Sequence, residues 1–348
     1  MDYAGRDFRN IRYAVNRPLT DEERALRYRQ GSPGNAEPND FLSVIRYTSS
    51  YIDLVDRWYP ITGLNVWLGL MGIAVSLGVT GFFSWSLAFD LEGLRADEWW
   101  VPWVGWGILV PFGCALLAGG AWLVKSECFR WTHYPMRLNR RTRQVHVFRQ
   151  DGTVLTVPWD DLFIVRGEAK SPIAGTTYDL RAHVLDADGV TVRESFSLGY
   201  TFPRDENSMD KFWAFLQPYM EAADGVERGY RGLKSSLLMP LHGRKEGWRW
   251  SIVRTFAPGW PYPWTHVLLC VPLALTALGR MLAMWTSKPP VWPAEVEAAS
   301  RIDANDPYVL TWRDNGPLGW WELWWPLLCT VLGLALFFGA IGMMLAEV

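Results

Sequence analysis

The chain has 348 residues, a formal net charge of -2 and 49% hydrophobic residues. High hydrophobic content with nearly cancelling charge excludes a disordered, collagen-like or strongly nucleic-acid-binding chain. The charges are unevenly distributed, because four stretches contain no Asp, Glu, Lys or Arg: Trp58 to Phe89, Trp99 to Val124, Phe256 to Gly279 and Leu323 to Ala346. Each stretch covers the roughly 20 apolar residues that a bilayer core requires, and many of the 22 tryptophans flank them as an interfacial belt would. The distribution therefore predicts a membrane protein.

The apolar stretches predict four transmembrane helices in two hairpins, residues 58–124 and 256–348. Lys and Arg number 9 before the first span, 1 between the first two, 20 in the central segment and 4 between the last two. The positive-inside rule then places the arm (1–57), the central segment (125–255) and the carboxyl terminus in the cytoplasm. The loops at 90–98 and at about 287–317 are predicted to be outside. We expect a multi-pass membrane protein whose first span acts as an uncleaved signal anchor.

Two short helices are predicted in the arm. Thr20 and Glu23 have the spacing of a capping box, which predicts a helix that ends at Gly31. A second helix is predicted after Asn39, because apolar residues from Phe41 to Trp58 keep helical spacing. Its apolar stripe either lies on the membrane surface or packs on its own protein.

The central segment predicts strands followed by a helix. Apolar residues alternate with polar ones near Val145, Leu155, Leu180 and Val190, and the run from Leu162 adds a fifth strand. Asp-Gly pairs at 151–152 and 188–189 predict tight hairpin turns. Asn207 and Ser208 are predicted caps of a helix with an apolar stripe through Met220, kinked or divided at Pro218. We expect an inserted cytoplasmic α+β domain that folds alone from about Ser126 to Glu246.

Sequence motifs of catalysis are missing from the chain. It contains no Gly-rich phosphate loop, His-Glu-x-x-His, paired Cys-x-x-Cys or Gly-x-Ser-x-Gly. Cys128 and His133 make a weak metal-ligand pair, and adjacent Asp160 and Asp161 are expected in a turn. The four cysteines are read as packing residues. We expect no enzyme activity, cofactor or metal.

Four arginines follow the second span: Arg137, Arg140, Arg141 and Arg143. Cations close to a cytoplasmic membrane surface are typical of an anionic-lipid contact. The positive-inside rule alone also demands basic residues at this place, so both interpretations stand.

Small residues spaced four apart predict close helix packing. They are Gly72 with Ser76, Ala115 with Gly119, and Ala335 with Gly339. Arg280 is the only charge within an apolar run, and it is expected to snorkel to the outer interface without an acidic partner in any span.

Pro135-Met136-Arg137-Leu138-Asn139-Arg140, followed by Asp151-Gly152 and Val157-Pro158-Trp159-Asp160, resembles the start of bacterial pleckstrin-homology-like membrane domains. The whole arrangement, with the approach Tyr51-Ile52-Asp53-Leu54-Val55-Asp56-Arg57-Trp58-Tyr59, resembles an uncharacterised family of bacterial inner-membrane proteins. Members are often encoded beside type VI secretion effectors, which implies an immunity protein.

Two functions follow as hypotheses. The first is a membrane-anchored immunity or accessory factor that recognises a secreted toxin or another membrane protein. The second is a membrane-organising protein whose β domain docks anionic lipid. An enzyme that acts on lipid ranks third, nucleic acid is not an expected partner, and the oligomeric state stays open.

Overall fold

The computed structural model describes residues 13–32, 34–89, 100–171, 175–203 and 205–346. The chain divides into two compact units. The described residues of 1–60, 131–245 and 289–317 form one, here called the sheet domain. Those of 61–130, 246–288 and 318–348 form the other, here called the helical unit. Each unit is therefore built from three separate pieces of chain.

The described residues of the sheet domain form two antiparallel sheets. Its strands are β1 (Arg17–Pro18), β2 (Arg27–Tyr28), β3 (Val44–Tyr47), β4 (Tyr51–Leu54), β5 (Met136–Asn139), β6 (Gln144–Phe148), β7 (Val154–Pro158), β8 (Leu162–Ser171), β9 (Gly175–Leu185), β10 (Thr191–Pro203) and β11 (Leu310–Thr311). Sheet A has the order β1-β10-β9-β8-β2, and sheet B has the order β11-β3-β4-β5-β6-β7. The four strands predicted from alternation and the fifth predicted from the apolar run at Leu162 are all present, at β6 to β10.

The helices, in chain order, are α1 (Asp21–Ala25), α2 (Leu64–Phe89), α3 (Val101–Glu127), α4 (Asn207–Glu221), α5 (Gly225–Leu233), α6 (Trp248–Phe256), α7 (Trp264–Leu268), α8 (Cys270–Thr286), α9 (Ala294–Ala299) and α10 (Trp325–Ala346). The first, fourth, fifth and ninth belong to the sheet domain, and the others to the helical unit.

Both predicted Asp-Gly turns are confirmed. Gly152 joins β6 to β7 with a φ of 86°, and Gly189 joins β9 to β10 with a φ of 67°. Glycine adopts this left-handed conformation without a steric penalty, so each pair closes a local hairpin.

The predicted amphipathic helix α4 is present, with differences at both ends. Neither Asn207 nor Ser208 caps it, because the helix begins at Asn207 and its cap position is Glu206. Pro218 lies near the carboxyl end and does not divide the helix, which continues to Glu221. Phe212, Trp213 and Leu216 of its apolar stripe are buried.

The arm is correctly predicted at α1 and wrongly predicted after Asn39. Thr20 and Glu23 form both hydrogen bonds of the capping box, although the helix ends at Ala25 instead of Gly31. The second predicted helix is the strand pair β3 and β4. The Thr48 hydroxyl accepts hydrogen bonds from the Ser50 and Tyr51 amides, which fixes a turn where a helix would have to continue.

Residues 289–317 belong to the sheet domain. Leu310 of β11 pairs with Tyr47 of β3. The Asn139 side chain donates to the Ala299 carbonyl at 3.0 Å. A bilayer cannot separate segments joined in one sheet, so this segment lies on the same side of a membrane as the central segment. The predicted outer loop at about 287–317 is therefore wrong. Lys and Arg counts could not reveal this, because the deciding contacts are long-range.

In the part of the helical unit that the structure describes, three helices are long and apolar enough to cross a membrane, over Leu64–Ser86, Val101–Glu127 and Trp320–Met344. The predicted third span breaks at Leu269, between α7 and α8. The second piece, α8, has 17 residues, fewer than the roughly 20 that a bilayer core requires. Three of the four predicted spans are thus long enough.

Candidate functional site

Arg137, the first of the four predicted lipid contacts, is completely buried in the sheet domain. It donates to both Asp53 oxygens, at 2.7 and 2.9 Å, and lies 3.3 Å from a Glu297 oxygen. Its guanidinium lies between the Tyr51 and Trp292 rings, 4.1 and 5.0 Å from their centroids. The lipid prediction is wrong for this residue, because its charge is used to join β4, β5 and the 289–317 segment.

The other three arginines do not form one cationic patch. Arg140 donates to the Tyr219 and Ala222 carbonyls, where cationic groups complement a helix carboxyl end. Arg143 donates from Nε to Asp160 at 2.7 Å. This ion pair holds the pKa of Asp160 below its usual range. Asp160 and Asp161 lie in a single turn, as predicted. Arg141 is exposed, and its lipid contact stays a prediction.

A buried polar network occupies sheet A around Asp179. This carboxylate accepts from Ser197 at 2.9 Å and from Tyr13, and Arg57 and Arg181 lie within 3.8 and 3.1 Å. Burial alone would raise its pKa, but the two guanidinium groups and the hydrogen bonds lower it to about 2. Tyr13 links Arg57 to this carboxylate, because its hydroxyl accepts from the Arg57 guanidinium and donates to Asp179. Sequence analysis missed it, because Tyr13 and Asp179 are 166 residues apart.

Glu23, His183 and Ser195 form a chain of contacts that resembles a hydrolytic triad. His183 Nδ1 lies 2.6 Å from Ser195 Oγ, and its Nε2 lies 3.2 Å from Glu23. A nucleophilic serine must face a space that admits substrate, but Ser195 is only 5% exposed. The arrangement joins α1 to sheet A and supports a structural role.

No metal centre is formed by the described residues, in which no group of three His, Cys, Asp or Glu could hold an ion. His133 is buried and shares a hydrogen bond of 2.9 Å with Thr132. Cys128, Cys270 and Cys329 are buried, as packing residues would be, whereas Cys114 is exposed.

The described part of the sheet domain has a cleft of about 380 Å³ beside β2. Arg27, Tyr28 and Arg29 line it from the arm, and Asp210 and Trp213 from α4. Trp213 stacks on Trp159 at 5.9 Å, and the Tyr28 hydroxyl donates to Asp210 at 2.6 Å. The volume lies within the range of about 300 to 1,000 Å³ typical of ligand sites. Sequence analysis did not single out these arginines.

Small residues do bring the helices close, but several lie one turn or less from the predicted positions. Ser76 is confirmed, because its buried hydroxyl donates to the Gly113 carbonyl at 2.8 Å. Gly72 is half-buried, and a Cβ there would lie 4.0 Å from Gly120 Cα. Ala115, Gly119, Ala335 and Gly339 are exposed, so these predictions are wrong within the helical unit. Gly120 and Gly333 are the buried contacts instead.

Arg280 is wrongly predicted to snorkel without a partner. Its side chain and that of Glu246 are both fully buried in the helical unit, with Nη2 2.9 Å from Oε2. Ser251 adds a hydrogen bond of 2.9 Å to Glu246. An uncompensated buried charge is strongly destabilising, so the pair accounts for a charge within an apolar run. The partner was missed because Glu246 lies outside the apolar stretch.

The start of α2 and the middle of α8 lie in direct contact. Gly63 has a φ of 100°, and a Cβ there would lie 2.3 Å from the Thr276 carbonyl oxygen. The Trp67 indole donates to the Thr276 hydroxyl at 2.8 Å. At the amino end of α8, a Cβ at Gly333 of α10 would lie 2.2 Å from the Cys270 carbonyl oxygen. The short helix is therefore held by both long ones.

These features define a protein with three helices long and apolar enough to cross a membrane, among the described residues, and a two-sheet domain made from three pieces of chain. A family of unknown function, DUF6708, matches residues 114–304, and the chain belongs to this family. No curated protein and no solved structure matches the chain.

Proposed function

We propose that this protein is a membrane-anchored binding protein, an immunity or accessory factor of a secreted toxin, that recognises its partner through the sheet domain. The proposal rests on one observation: most of the arginines that were predicted to bind lipid instead form contacts within the sheet domain. Arg137 is fully buried, and Arg140 and Arg143 bind α4 and Asp160. The same domain has an open cleft.

The alternative function, docking on anionic lipid, requires exposed cations near the membrane. Of the four arginines that suggested it, Arg141 alone is exposed. One exposed cation contributes about 1 kcal/mol at a membrane surface, too little for stable docking. The pleckstrin-homology likeness and the link to type VI secretion stay predictions from resemblance.

The topology proposed here has three crossings, by α2, α3 and the segment that contains α10. Both ends of the 246–288 segment connect to the sheet domain, so α6, α7 and α8 enter and return on one side. The carboxyl terminus is then opposite the sheet domain. Arg95 is the only Lys or Arg on that opposite side. By the positive-inside rule, the difference in Lys and Arg number between the two sides favours a cytoplasmic sheet domain, and this difference is larger than four crossings would give.

Rescue of a poisoned cell tests the binding function. Products of the genes beside this one would be expressed singly in a susceptible host, each directed to the compartment where it acts. We expect one to kill the host, and full-length protein to restore growth. Arg141→Gln should rescue as well as wild type, because the Arg141 side chain is exposed and has no hydrogen bond or ion pair to the described residues. Failure to rescue any toxic neighbour would contradict the proposal.

A further inference from the structure

The cleft lies along the open edge of sheet A. β2 is the outermost strand of the sheet and pairs only with β8 among the described residues. Leu26 accepts from the Arg166 amide of β8 at 3.1 Å, and Tyr28 is opposite Ile164. Backbone groups alternate in an antiparallel strand, so the Arg27 amide and carbonyl point away from β8. An extended peptide can pair with such an edge.

The charge of the cleft favours an acidic occupant. Within the described residues, neither Arg27 nor Arg29 forms an ion pair with a carboxylate, although both are exposed. The nearby Arg166 is paired with Glu206. The one carboxylate in the lining, Asp210, already accepts from Tyr28. Two cations without a carboxylate partner among the described residues therefore border the cleft, and the Arg27 guanidinium lies over the Phe163 ring, 4.4 Å from its centroid.

The half-buried Tyr28 provides the aromatic surface beside these charges, and the buried Trp213 packs against its ring. Tyr28 and Trp213 have ring centroids 5.6 Å apart. Trp213 is held in place by its stacking on Trp159 and by a hydrogen bond to the Ser32 carbonyl. Rigid aromatic residues are common anchors of binding sites.

We propose that this cleft binds an extended acidic peptide segment of the partner, paired with the β2 edge and with carboxylates on Arg27 and Arg29. The proposal rests on the proposed binding function and specifies its site. Alternate side chains of the peptide face the arginines and the aromatic lining, as the two-residue period of a strand requires.

Binding of synthetic peptides to full-length protein in neutral nanodiscs tests this site. The probe is a fluorescent hexapeptide of alternating glutamate and leucine, compared with its lysine counterpart and with a version N-methylated at alternate residues. We expect the glutamate peptide to bind at least about tenfold more tightly than either comparison, with weakening by salt. The double variant Arg27→Gln/Arg29→Gln should lose at least about tenfold in affinity.

Arg193→Gln, an exposed arginine of β10, is the matched control and should bind like wild type. Equal affinity of wild type and the double variant would overturn the site, as would no binding at about 1 mM peptide. Strong binding of the N-methylated peptide would overturn the edge pairing. If the double variant loses peptide binding but still rescues growth, the cleft is not the toxin site, while the binding function stands.

Discussion

At the residue scale, the arginines of this protein serve two different purposes. Arg137 and Arg280 are fully buried, each with a carboxylate partner in its own unit. Arg27 and Arg29 are exposed beside a cleft. All four have the same formal charge, so their roles depend on the acidic residues that the fold brings near them.

Arg137→Gln should destabilise the sheet domain. The change removes the ion pair with Asp53 and leaves that carboxylate buried, which typically costs about 3 to 5 kcal/mol. Thermal unfolding of the purified protein, followed by tryptophan fluorescence, measures the loss. Arg141→Gln is the control and should stay within about 0.5 kcal/mol of wild type. Equal stability of the two variants would contradict the role assigned to Arg137.

His146 should make the stability of the sheet domain depend on pH. Burial, with the positive charge of Arg137, lowers the pKa of His146 to about 4. The pKa of a histidine in an unfolded chain is about 6.5. The unfolded chain therefore binds the proton first, and the folded state loses stability as the pH falls from about 6.5 towards 4. Unfolding curves of wild type and His146→Gln should diverge in this window. Parallel curves would show that His146 does not contribute.

At the element scale, local patterns predicted local pairs and missed distant ones. The hairpins β6–β7 and β9–β10 each close through an Asp-Gly turn, so their strands were readable from alternation. In contrast, β11 pairs with β3 across more than 250 residues, and two residues of strand carry no periodic signal. The apolar spacing of 41–58 fitted a helix as well as two buried strands, because both faces of that pair are covered.

Two neighbouring glycines of α3 test the packing of α2 and α3. A Cβ at Gly120 would lie 2.7 Å from the Gly69 carbonyl oxygen, whereas a Cβ at Gly119 meets nothing within 4 Å. Gly120→Ala should therefore force the helices apart and cost about 1 to 3 kcal/mol. Gly119→Ala should be neutral or slightly stabilising, since alanine favours helix. Denaturation in detergent distinguishes them, and equal tolerance of both changes would contradict this packing.

At the scale of the whole molecule, the domain boundaries were the feature least accessible to sequence. The central segment was expected to fold alone, but sheet B takes three of its six strands from the arm and from residues 289–317. Hydropathy separates apolar from polar segments and contains no information about which polar segments join. The membrane character of the helices was readable, because length and composition are enough for it.

The excised segment 126–246 should not fold into the sheet structure. Without β3, β4 and β11, the buried strand β5 becomes an edge and Arg137 loses both of its carboxylate partners. Circular dichroism should show little strand content and no cooperative unfolding. A cooperative transition in this fragment would contradict the account of the domain.

The central claim is that residues 289–317 lie on the same side of the membrane as the central segment, which gives three crossings. Single cysteines at Gly189→Cys, Asp303→Cys and Val348→Cys, in a variant without the four native cysteines, would be treated in intact cells with an impermeant thiol reagent. We predict that positions 189 and 303 are protected until the cells are permeabilised, and that position 348 is labelled from outside. Labelling of position 303 from outside, with position 189 protected, would contradict the claim.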